Sequence, residues 1–255
     1  MKIHSTAIID ASAELGEDVE IGPYTIIEAG VVVGSESRIG SHVLLASGAR
    51  LGKDVQVFKG AVIGMAPQDL KFKGEPSVAL VGDRTIVREF ATIHRGTEAS
   101  GKTVVGAECL LMAYSHVAHD CVLENKVLLA NSVNLGGHVY IGEQAGIGGI
   151  VPVHQFVHIG KHAFIAGGTR VPKDVPPFVL AANEPLRFAG LNTVGLKRHG
   201  FSAERIAAIK HAYKLIYLSD LNVSQGITRI KEEMEITPDI QEIIDFIEGS
   251  ERGII

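Results

Sequence analysis

Histidines, an aspartate and two glycines lie close together in the middle of the chain, in a pattern that could carry out proton transfer. His116 and His119 are three residues apart, and Asp120 follows His119 directly. A carboxylate beside an imidazole can fix its tautomer and stabilise the imidazolium, as a general base near neutral pH requires. Gly136 and Gly137 could offer backbone N–H groups to an oxyanion. Since no nucleophilic serine or cysteine accompanies them, these residue types indicate direct acyl transfer to an incoming hydroxyl group.

An aliphatic residue recurs at every sixth position through most of the chain and predicts how this stretch is positioned. The pattern extends from residue 3 to 63, returns between 81 and 93, and continues from 105 to 171. Six steps of an α-helix turn a marker residue by ~240°, so a helix would scatter these positions around its axis. One short strand and one corner per hexad keep them on one face. Three hexads close a triangular coil of ~18 residues, and stacked coils form a parallel β-helix with the aliphatic residues inside.

The coil length relates the histidines to one another. His138 follows His119 by 19 residues, so it should lie on the neighbouring rung, almost above it. Seven of the 11 histidines lie in the central and later coils, and none takes the inward aliphatic position; they are His94, His116, His119, His138, His154, His158 and His162. We therefore predict that His116, His119 and His138 form a cluster on the outer surface of the coil.

A metal site is the competing interpretation of the same stretch. His116, His119 and Cys121 have a spacing that resembles a ligand set. However, Cys121 and Cys109 fall two positions before an aliphatic residue, where the pattern places small inward side chains. We expect both cysteines to be buried packing residues, and we predict no catalytic metal. The residue after the aliphatic position is often glycine, which suits a corner that needs positive φ or close backbone approach.

The hexad pattern is interrupted twice and ends before the C-terminus, which predicts the domain organisation. The interruptions, near residues 64–80 and 94–104, should project as loops, where functional residues tend to collect. We predict a mainly β protein, with a β-helix over residues 1–180 and a small α-helical domain over 181–255. One helix should start after Ser202, another after Thr237, and a third should lie between them.

Composition limits the classes of function. The chain has 255 residues, 46% of them apolar, and a formal net charge of -5, which argues against a general nucleic-acid binder. Two cysteines cannot form a disulfide framework, and the N-terminus lacks the features of a secretory signal. No apolar run approaches the ~18 residues needed to span a bilayer. We expect a cytoplasmic protein with no integral membrane segment. Basic residues within 197–214 suit either one anionic partner or a solvated helix face.

Nine motifs occur in a fixed order along nearly the whole chain. They are PQDLKF at 67–72, TIHRGT at 92–97, HVAHDC at 116–121, GGHV at 136–139, VHQF at 153–156, DVPPFV at 174–179, GLKRHGFS at 195–202, HAYKLIY at 211–217 and SERGI at 250–254. Together they resemble the bacterial UDP-N-acetylglucosamine acyltransferases that begin lipid A synthesis. A single hexad is shared by many acyltransferases, so the ordered set carries this resemblance.

The resemblance implies a left-handed β-helix, a homotrimer with active sites between subunits, and no metal or bound cofactor. It also implies a 3-hydroxyacyl acyl carrier protein as donor and UDP-N-acetylglucosamine as acceptor. His119 matches the base that deprotonates the sugar 3-hydroxyl, Asp120 its orienting carboxylate, and Gly137 the oxyanion donor. The matches to the surrounding substrate site are Asp69, Lys71, His94, His116, His138, His154 and Gln155; Asn192 and Arg198, which match nucleotide and pantetheine contacts; and Gly167, where the family measures chain length.

Two residues depart from the family pattern. Where many members have Glu and a second Arg, this chain has Val194 and His199. The acceptor could therefore be an amino group in place of the sugar 3-hydroxyl, which would make the protein an N-acyltransferase on a UDP-3-amino sugar. A further alternative is a non-catalytic solenoid that only binds carrier protein. A glycine at residue 167 leaves room for a long acyl chain.

Overall fold

The computed structural model describes all 255 residues as a left-handed parallel β-helix followed by a smaller, mainly helical part. Most strands of the β-helix are two residues long. In chain order the strands are β1 Lys2–Ile3, β2 Ile8–Ile9, β3 Glu14–Leu15, β4 Glu20–Ile21, β5 Ile26–Ile27, β6 Val32–Val33, β7 Arg38–Ile39, β8 Leu44–Leu45, β9 Ala49–Leu51, β10 Gln56–Val57, β11 Val62–Met65, β12 Val78–Val81, β13 Ile86–Val87, β14 Thr92–His94, β15 Lys102–Val105, β16 Leu110–Leu111, β17 His116–Val117, β18 Val122–Leu123, β19 Leu128–Leu129, β20 Asn134–Leu135, β21 Tyr140–Ile141, β22 Gly146–Ile147, β23 Pro152–Val153, β24 His158–Ile159 and β25 Phe164–Ile165.

Every third strand belongs to the same sheet, so the coil has three flat faces. Sheet one begins with β1 and β4, sheet two with β2 and β5, and sheet three with β3 and β6. Neighbouring strands are parallel, and Ile3 pairs with Ile21 across a step of one coil. The six-residue pattern therefore predicted both the architecture and the strand register.

The aliphatic ladder fills the interior of the coil. From Ile21 to Val171, every aliphatic residue of the six-residue pattern is at most 4% exposed, whereas Ile3 in the open first coil is 47% exposed. Burial of each such side chain stabilises the fold by roughly 1.5–3 kcal/mol. Cys109 and Cys121 are 1% and 0% exposed, so the prediction that they pack inside is confirmed.

The corners need glycine for close backbone approach, not for positive φ. A Cβ atom at Gly22 would lie 2.7 Å from the carbonyl carbon of Gly40, and one at Gly142 would lie 2.6 Å from the nitrogen of Lys161. Positive φ falls two residues after these glycines, and nearly always on another residue type, such as Tyr24 at 58°. Of the two explanations for these glycines, close backbone approach is therefore the correct one.

Both interruptions leave the coil at the same edge, where the chain passes from sheet two to sheet three. Ile63 pairs with Ile93 thirty residues later, and Ile93 pairs with Val117 twenty-four residues later. The projecting segments are residues 66–77 and 95–101. They are shorter than the predicted 64–80 and 94–104 because β11, β12, β14 and β15 extend past the usual two residues.

The C-terminal part contains two strands and four helices. The strands are β26 Val179–Ala182 and β27 Arg187–Leu191, and the helices are α1 Thr193–Arg198, α2 Ala203–Tyr217, α3 Val223–Glu233 and α4 Pro238–Glu248. Ser202 and Thr237 cap α2 and α4 as predicted, since each hydroxyl accepts a backbone N–H. The sequence did not indicate α1 or the antiparallel hairpin of β26 and β27, which extends sheet one. The predicted division at residue 180 lies inside β26.

Three contacts hold this part against the coil. The hydroxyl of buried Tyr213 donates to the Pro177 carbonyl oxygen at 2.6 Å. Lys161 forms an ion pair with Glu242 at 2.9 Å. At the C-terminus, the Ser250 hydroxyl donates to the Asp174 carboxylate at 2.6 Å, beside a bridge between Asp174 and Ile254. None of the helices is long and apolar enough to cross a membrane.

Candidate active site

Residues of three successive rungs meet at the edge between sheets two and three, which we call the site edge. Its residues are His119 and Asp120 on one rung, Gly136, Gly137 and His138 on the next, and His154, Gln155 and Phe156 on the third. The strand register aligns these rungs, since His116 pairs with Asn134 and Asn134 with Pro152. On the glycine rung, Gly136 and Gly137 occupy the positions that correspond to Ala118 and His119, and they have no side chains. They leave a gap between the rungs on either side, which do have side chains there.

His119 and Asp120 form a hydrogen-bonded pair. His119 Nδ1 lies 2.7 Å from Asp120 Oδ2, and the two side chains are 14% and 0% exposed. Burial alone would raise the pKa of Asp120, but hydrogen bonds from Ser100, Thr97 and His119 lower it to about 2. The carboxylate is therefore ionised and can only accept. It follows that His119 Nδ1 carries a proton, and in the neutral ring Nε2 then offers a free lone pair.

The other donors to Asp120 come from the second projecting segment. Thr97 donates through its backbone N–H to Oδ1 at 3.0 Å and through its hydroxyl to Oδ2 at 2.7 Å. The Ser100 hydroxyl also donates to Oδ1. Asp120 adopts the positive φ of a corner residue, 59°, and its own N–H donates to Thr103 Oγ1 at 2.9 Å. The segment 95–101 therefore acts as a bracket that holds the carboxylate still.

Of the two glycines proposed to bind an oxyanion, only Gly137 has an available N–H. The Gly136 N–H donates to the Val153 carbonyl oxygen at 2.9 Å as part of the sheet ladder. The Gly137 N–H donates to no atom of the chain. The His119 ring lies over Gly137, where a Cβ atom would be 2.7 Å from Nε2. The free imidazole nitrogen thus lies beside the residue whose N–H is free.

His94 and His116 are less exposed than we expected. His94 is 6% exposed, and burial together with the nearby His116 and His119 lowers its pKa to about 4. Burial and His119 also lower the pKa of His116, and its Nδ1 lies 2.7 Å from the Thr92 hydroxyl. Neutral rings at these positions offer hydrogen bonds without adding positive charge. His94 is thus buried beside His116 and is not part of the exposed surface.

His138 completes the group on the glycine rung. Its ring stacks on Phe156 at a centroid distance of 4.5 Å and meets the His119 ring edge-on at 5.2 Å. Its Nε2 lies 3.7 Å from Asp120 Oδ2. One potential metal-ligand atom from each of His119, Asp120 and His138 lies within 4.8 Å of the other two. This set differs from His116, His119 and Cys121, the ligand set that sequence spacing suggested. Cys121 cannot join them, because its buried Sγ donates to the Gly136 carbonyl oxygen at 3.1 Å.

The first projecting segment carries Asp69 and Lys71 above the same edge. The Lys71 N–H donates to Asp69 Oδ1 at 2.9 Å, which fixes a turn. The Arg95 guanidinium lies over the Phe72 ring at 5.2 Å and joins this segment to the second one. Asp69 and Lys71 are therefore presented to solvent by a braced loop.

Asn192, Arg198 and Gly167 lie elsewhere on the chain. Asn192 and Arg198 line a cavity of about 520 Å³ against sheet one, the face opposite the site edge, together with Val194 and His199. Gly167 follows β25 at the edge between sheets one and two. The structure thus brings most of the predicted site residues together at one edge but does not bring these three to it within one chain.

Both ends of helix α1 are held to the coil by His162. Asn192 caps α1 by accepting the Gly195 N–H at 3.1 Å, and its Nδ2 donates to the His162 carbonyl oxygen at 3.0 Å. At the other end, His199 Nδ1 lies 3.1 Å from His162 Nδ1. Burial and His199 lower the pKa of His162 to about 4, so its ring is neutral. The cavity wall that carries Arg198 is therefore held by His162.

Sequence reasoning missed Thr97, Ser100, Thr103 and His162 as parts of the site. The TIHRGT motif contains Thr97, and the interruption of the hexads pointed to the segment of Ser100. Only the three-dimensional structure shows that the hydroxyl groups of Thr97 and Ser100 reach Asp120.

The chain is similar to known proteins in both sequence and structure. Residues 174–255 match the family described as Udp N-acetylglucosamine O-acyltransferase, Domain 2, and residues 1–35 match the bacterial transferase hexapeptide, six repeats. The chain is 48% identical over 258 residues to the acyl-[acyl-carrier-protein]–UDP-N-acetylglucosamine O-acyltransferase of Janthinobacterium sp. (strain Marseille), covering 99% of this chain and 98% of that one. It is 46% identical to the protein of the same name from Stenotrophomonas maltophilia (strain K279a), covering 100% and 97%. The crystal structure of a UDP-N-acetylglucosamine acyltransferase from Bacteroides fragilis 9343 superposes with a TM-score of 0.98 at 44% identity, covering 99% of both chains.

Proposed function

This chain belongs to the family of acyl-[acyl-carrier-protein]–UDP-N-acetylglucosamine O-acyltransferases, and we propose that it moves a 3-hydroxyacyl chain from acyl carrier protein to the 3-hydroxyl group of UDP-N-acetylglucosamine. This is the first step of lipid A biosynthesis. The observation that carries the proposal is the pairing of His119 with an ionised Asp120 beside Gly137, whose N–H is free. The amino-acceptor alternative depends on Val194 and His199, which line the same cavity as Arg198.

The arrangement accounts for each proton of the reaction. His119 Nε2 removes the proton of the sugar hydroxyl as its oxygen attacks the thioester carbonyl carbon. The carbonyl oxygen becomes an oxyanion, and the Gly137 N–H donates to it. The C–S bond then breaks, and the imidazolium returns its proton to the departing sulfur of the carrier protein. The products are an ester and a free thiol, and His119 is neutral again.

Asp120 acts on the imidazole and not on the substrate. Its negative charge favours the imidazolium that forms during attack, while its hydrogen bond keeps the Nδ1–H tautomer. Because Thr97 and Ser100 hold the carboxylate, the ring enters the reaction with its Nε2 already directed toward the glycine rung.

The remaining site residues surround this centre. In the proposal, Asp69, Lys71, His94, His116, His138, His154 and Gln155 contact the sugar nucleotide and the acyl chain, Asn192 and Arg198 contact the nucleotide and pantetheine, and Gly167 bounds the acyl chain. Active sites form between subunits of a homotrimer. The position of Arg198 on the face opposite His119 supports this, since one chain alone does not place both on one ligand.

Two further parts of the proposal concern partner and setting. The basic residues of α1 and α2 face an acidic acyl carrier protein, whose charge would complement them. The protein works in the cytoplasm, and residues 1–180 and 181–255 form the coil and the carrier-binding domain.

The central test is turnover with 3-hydroxyacyl carrier protein and UDP-N-acetylglucosamine. His119→Ala should lower kcat by about 10²- to 10⁴-fold, the usual cost of losing a general base, while His4→Ala at the exposed first coil should leave it unchanged. Near-normal turnover by His119→Ala would remove the proposed role. Offering the 3-amino sugar nucleotide in the same reaction and weighing the products decides between ester and amide formation. No product with either acceptor would leave only the carrier-binding solenoid.

Shared active sites are tested by mixing subunits. His119→Ala and Arg198→Ala chains, each weakly active alone, should regain activity when they are unfolded, mixed and refolded together, because some interfaces then have both residues intact. No recovery in a mixture that still sediments as a trimer would contradict a site built from two subunits.

A further inference from the structure

The C-terminal SERGI motif reaches the site edge through one arginine. Arg252 Nη2 lies 2.8 Å from His154 Nδ1, and Arg252 Nε donates to the Pro172 carbonyl oxygen at 2.8 Å. His154 lies on the rung above Gly136. The last residues of the chain thus touch a ring that is almost a hundred residues away in sequence.

The tail is fixed by Asp174, a 2% exposed carboxylate. Asp174 accepts from the His158 N–H at 2.8 Å and from the Ser250 hydroxyl at 2.6 Å. Its backbone N–H donates to the Gly253 carbonyl oxygen at 3.1 Å, and its carbonyl oxygen accepts from Ile255 N–H at 3.0 Å. Four hydrogen bonds on one residue therefore hold Arg252 in place over His154.

The contact determines which nitrogen of His154 carries the proton. A guanidinium is always protonated and has no acceptor, so Nδ1 must accept from Arg252 and must itself lack a proton. The Gln155 carbonyl oxygen also lies 3.0 Å from Nδ1, but a carbonyl oxygen is an acceptor and would require a proton on Nδ1. Since a charged donor forms the stronger hydrogen bond, the contact with Arg252 prevails over the one with Gln155.

We propose that Arg252 is a positioning residue that keeps the proton of His154 on Nε2, so that this ring donates a hydrogen bond to an acceptor oxygen of the bound sugar nucleotide. The role of His154 as a ligand contact rests on the proposed function, but its tautomer does not. Without Arg252 the Gln155 carbonyl becomes the remaining partner of Nδ1. The proton then moves to Nδ1, and Nε2 changes from donor to acceptor.

The tautomer is measured by ¹⁵N chemical shifts of the histidine side chains in the intact protein. Wild type should show a His154 ring protonated on Nε2, and a proton on Nδ1 in wild type would overturn the proposal without any variant. Arg252→Met should transfer the signal to the Nδ1–H form, and Arg187→Met, a change at an exposed arginine of β27, should not. A His154 tautomer unchanged in Arg252→Met would equally overturn it.

Kinetics test the consequence for the ligand. Arg252→Met should raise KM for UDP-N-acetylglucosamine by about 3- to 10-fold, the range for one lost hydrogen bond, with kcat nearly unchanged. In a His154→Gln background, where the amide is no longer subject to tautomerism, Arg252→Met should add little. An equal effect in both backgrounds would assign Arg252 to tail packing and refute the positioning role. If wild type turns over no UDP-N-acetylglucosamine, the proposed function fails, and the ¹⁵N shifts still decide the part played by Arg252.

Discussion

Gly137 leaves just enough space for the ring of His119: a Cβ atom at residue 137 would lie 2.5 Å from Cε1 and 2.7 Å from Nε2 of the imidazole. Gly137→Ala should therefore displace the ring from the free N–H and lower kcat by about 10²-fold or more, as the loss of one oxyanion donor does. The thermal midpoint should change little, because the ring moves toward the open edge. Steady-state rates at saturating substrates check this, and a kcat near that of wild type would contradict the geometry.

The lowered pKa of Asp120 predicts a pH dependence of stability. Its folded pKa of about 2 lies below the ~3.9 of an unfolded Asp, so the ionised form is favoured by folding. Its contribution, on the order of 2 kcal/mol, is fully present above pH ~4 and is lost as the pH falls through about 2. Denaturant unfolding at pH 6, 4 and 3 should show this loss in wild type. Asp120→Asn should show a flatter dependence, and identical slopes would disprove the assignment.

Thr97 should matter for turnover although it touches no reacting atom. Thr97→Val removes the hydroxyl donor to Asp120 Oδ2 and leaves the backbone N–H in place. We expect kcat to fall by about 10-fold, which corresponds to about 1.4 kcal/mol of lost charge-assisted hydrogen bonding. Glu98→Gln, an exposed change in the same segment, is the control. Equal rates for wild type and Thr97→Val would show that the bracket around the carboxylate is redundant.

His162 should influence nucleotide binding from beneath α1. His162→Phe keeps the aromatic stack on Phe178 but removes the contact with His199, and Phe178 itself tolerates the same corner conformation at φ 68°. KM for the sugar nucleotide should rise by about 3- to 10-fold, and the amides of α1 should exchange faster with deuterium. His42→Phe, at an equivalent corner far from the cavity, should do neither. Unaltered α1 exchange in His162→Phe would rule out the clamp.

A matched pair of tyrosines tests how the helices adhere to the coil. Tyr213→Phe leaves the buried Pro177 carbonyl oxygen without its partner and should cost about 1–3 kcal/mol of unfolding free energy. The neighbouring Tyr217 hydroxyl is buried with no partner, so Tyr217→Phe should be neutral or stabilising. Thermal unfolding of both variants decides the matter, and equal destabilisation by the two changes would be evidence against the Pro177 contact.

The coil was predictable because its period is a direct consequence of packing. Outside the two projecting segments, each sixth residue from Ile21 to Val171 must be aliphatic to fill the interior, so the pattern repeats along the coil. The hairpin of β26 and β27 and the helix α1 occur once, are short, and are stabilised by contacts with the coil. Local patterns are weak where tertiary contacts decide the structure, which is why these elements were missed.

The site was predictable in part for the same reason. The coil length predicts that His119, Gly137 and His138 are neighbours, since residues about one coil apart lie on adjacent rungs. Which glycine donates to an oxyanion depended on the ladder hydrogen bond of Gly136, which the period alone does not reveal. The hydroxyl group of Thr97 reaches Asp120 across a loop, and Arg252 reaches His154 from the end of the chain. Such contacts depend on three-dimensional placement that no local pattern records.

The two projecting segments lengthen their coils by whole hexads, so the ladder continues in phase on both sides of each. A gene encoding this fold can therefore gain or lose codons at the site edge in multiples of six without moving one aliphatic residue out of the core. A single added codon within a coil would turn every later inward position outward. In this chain both insertions of whole hexads lie at the edge that carries the proposed active site.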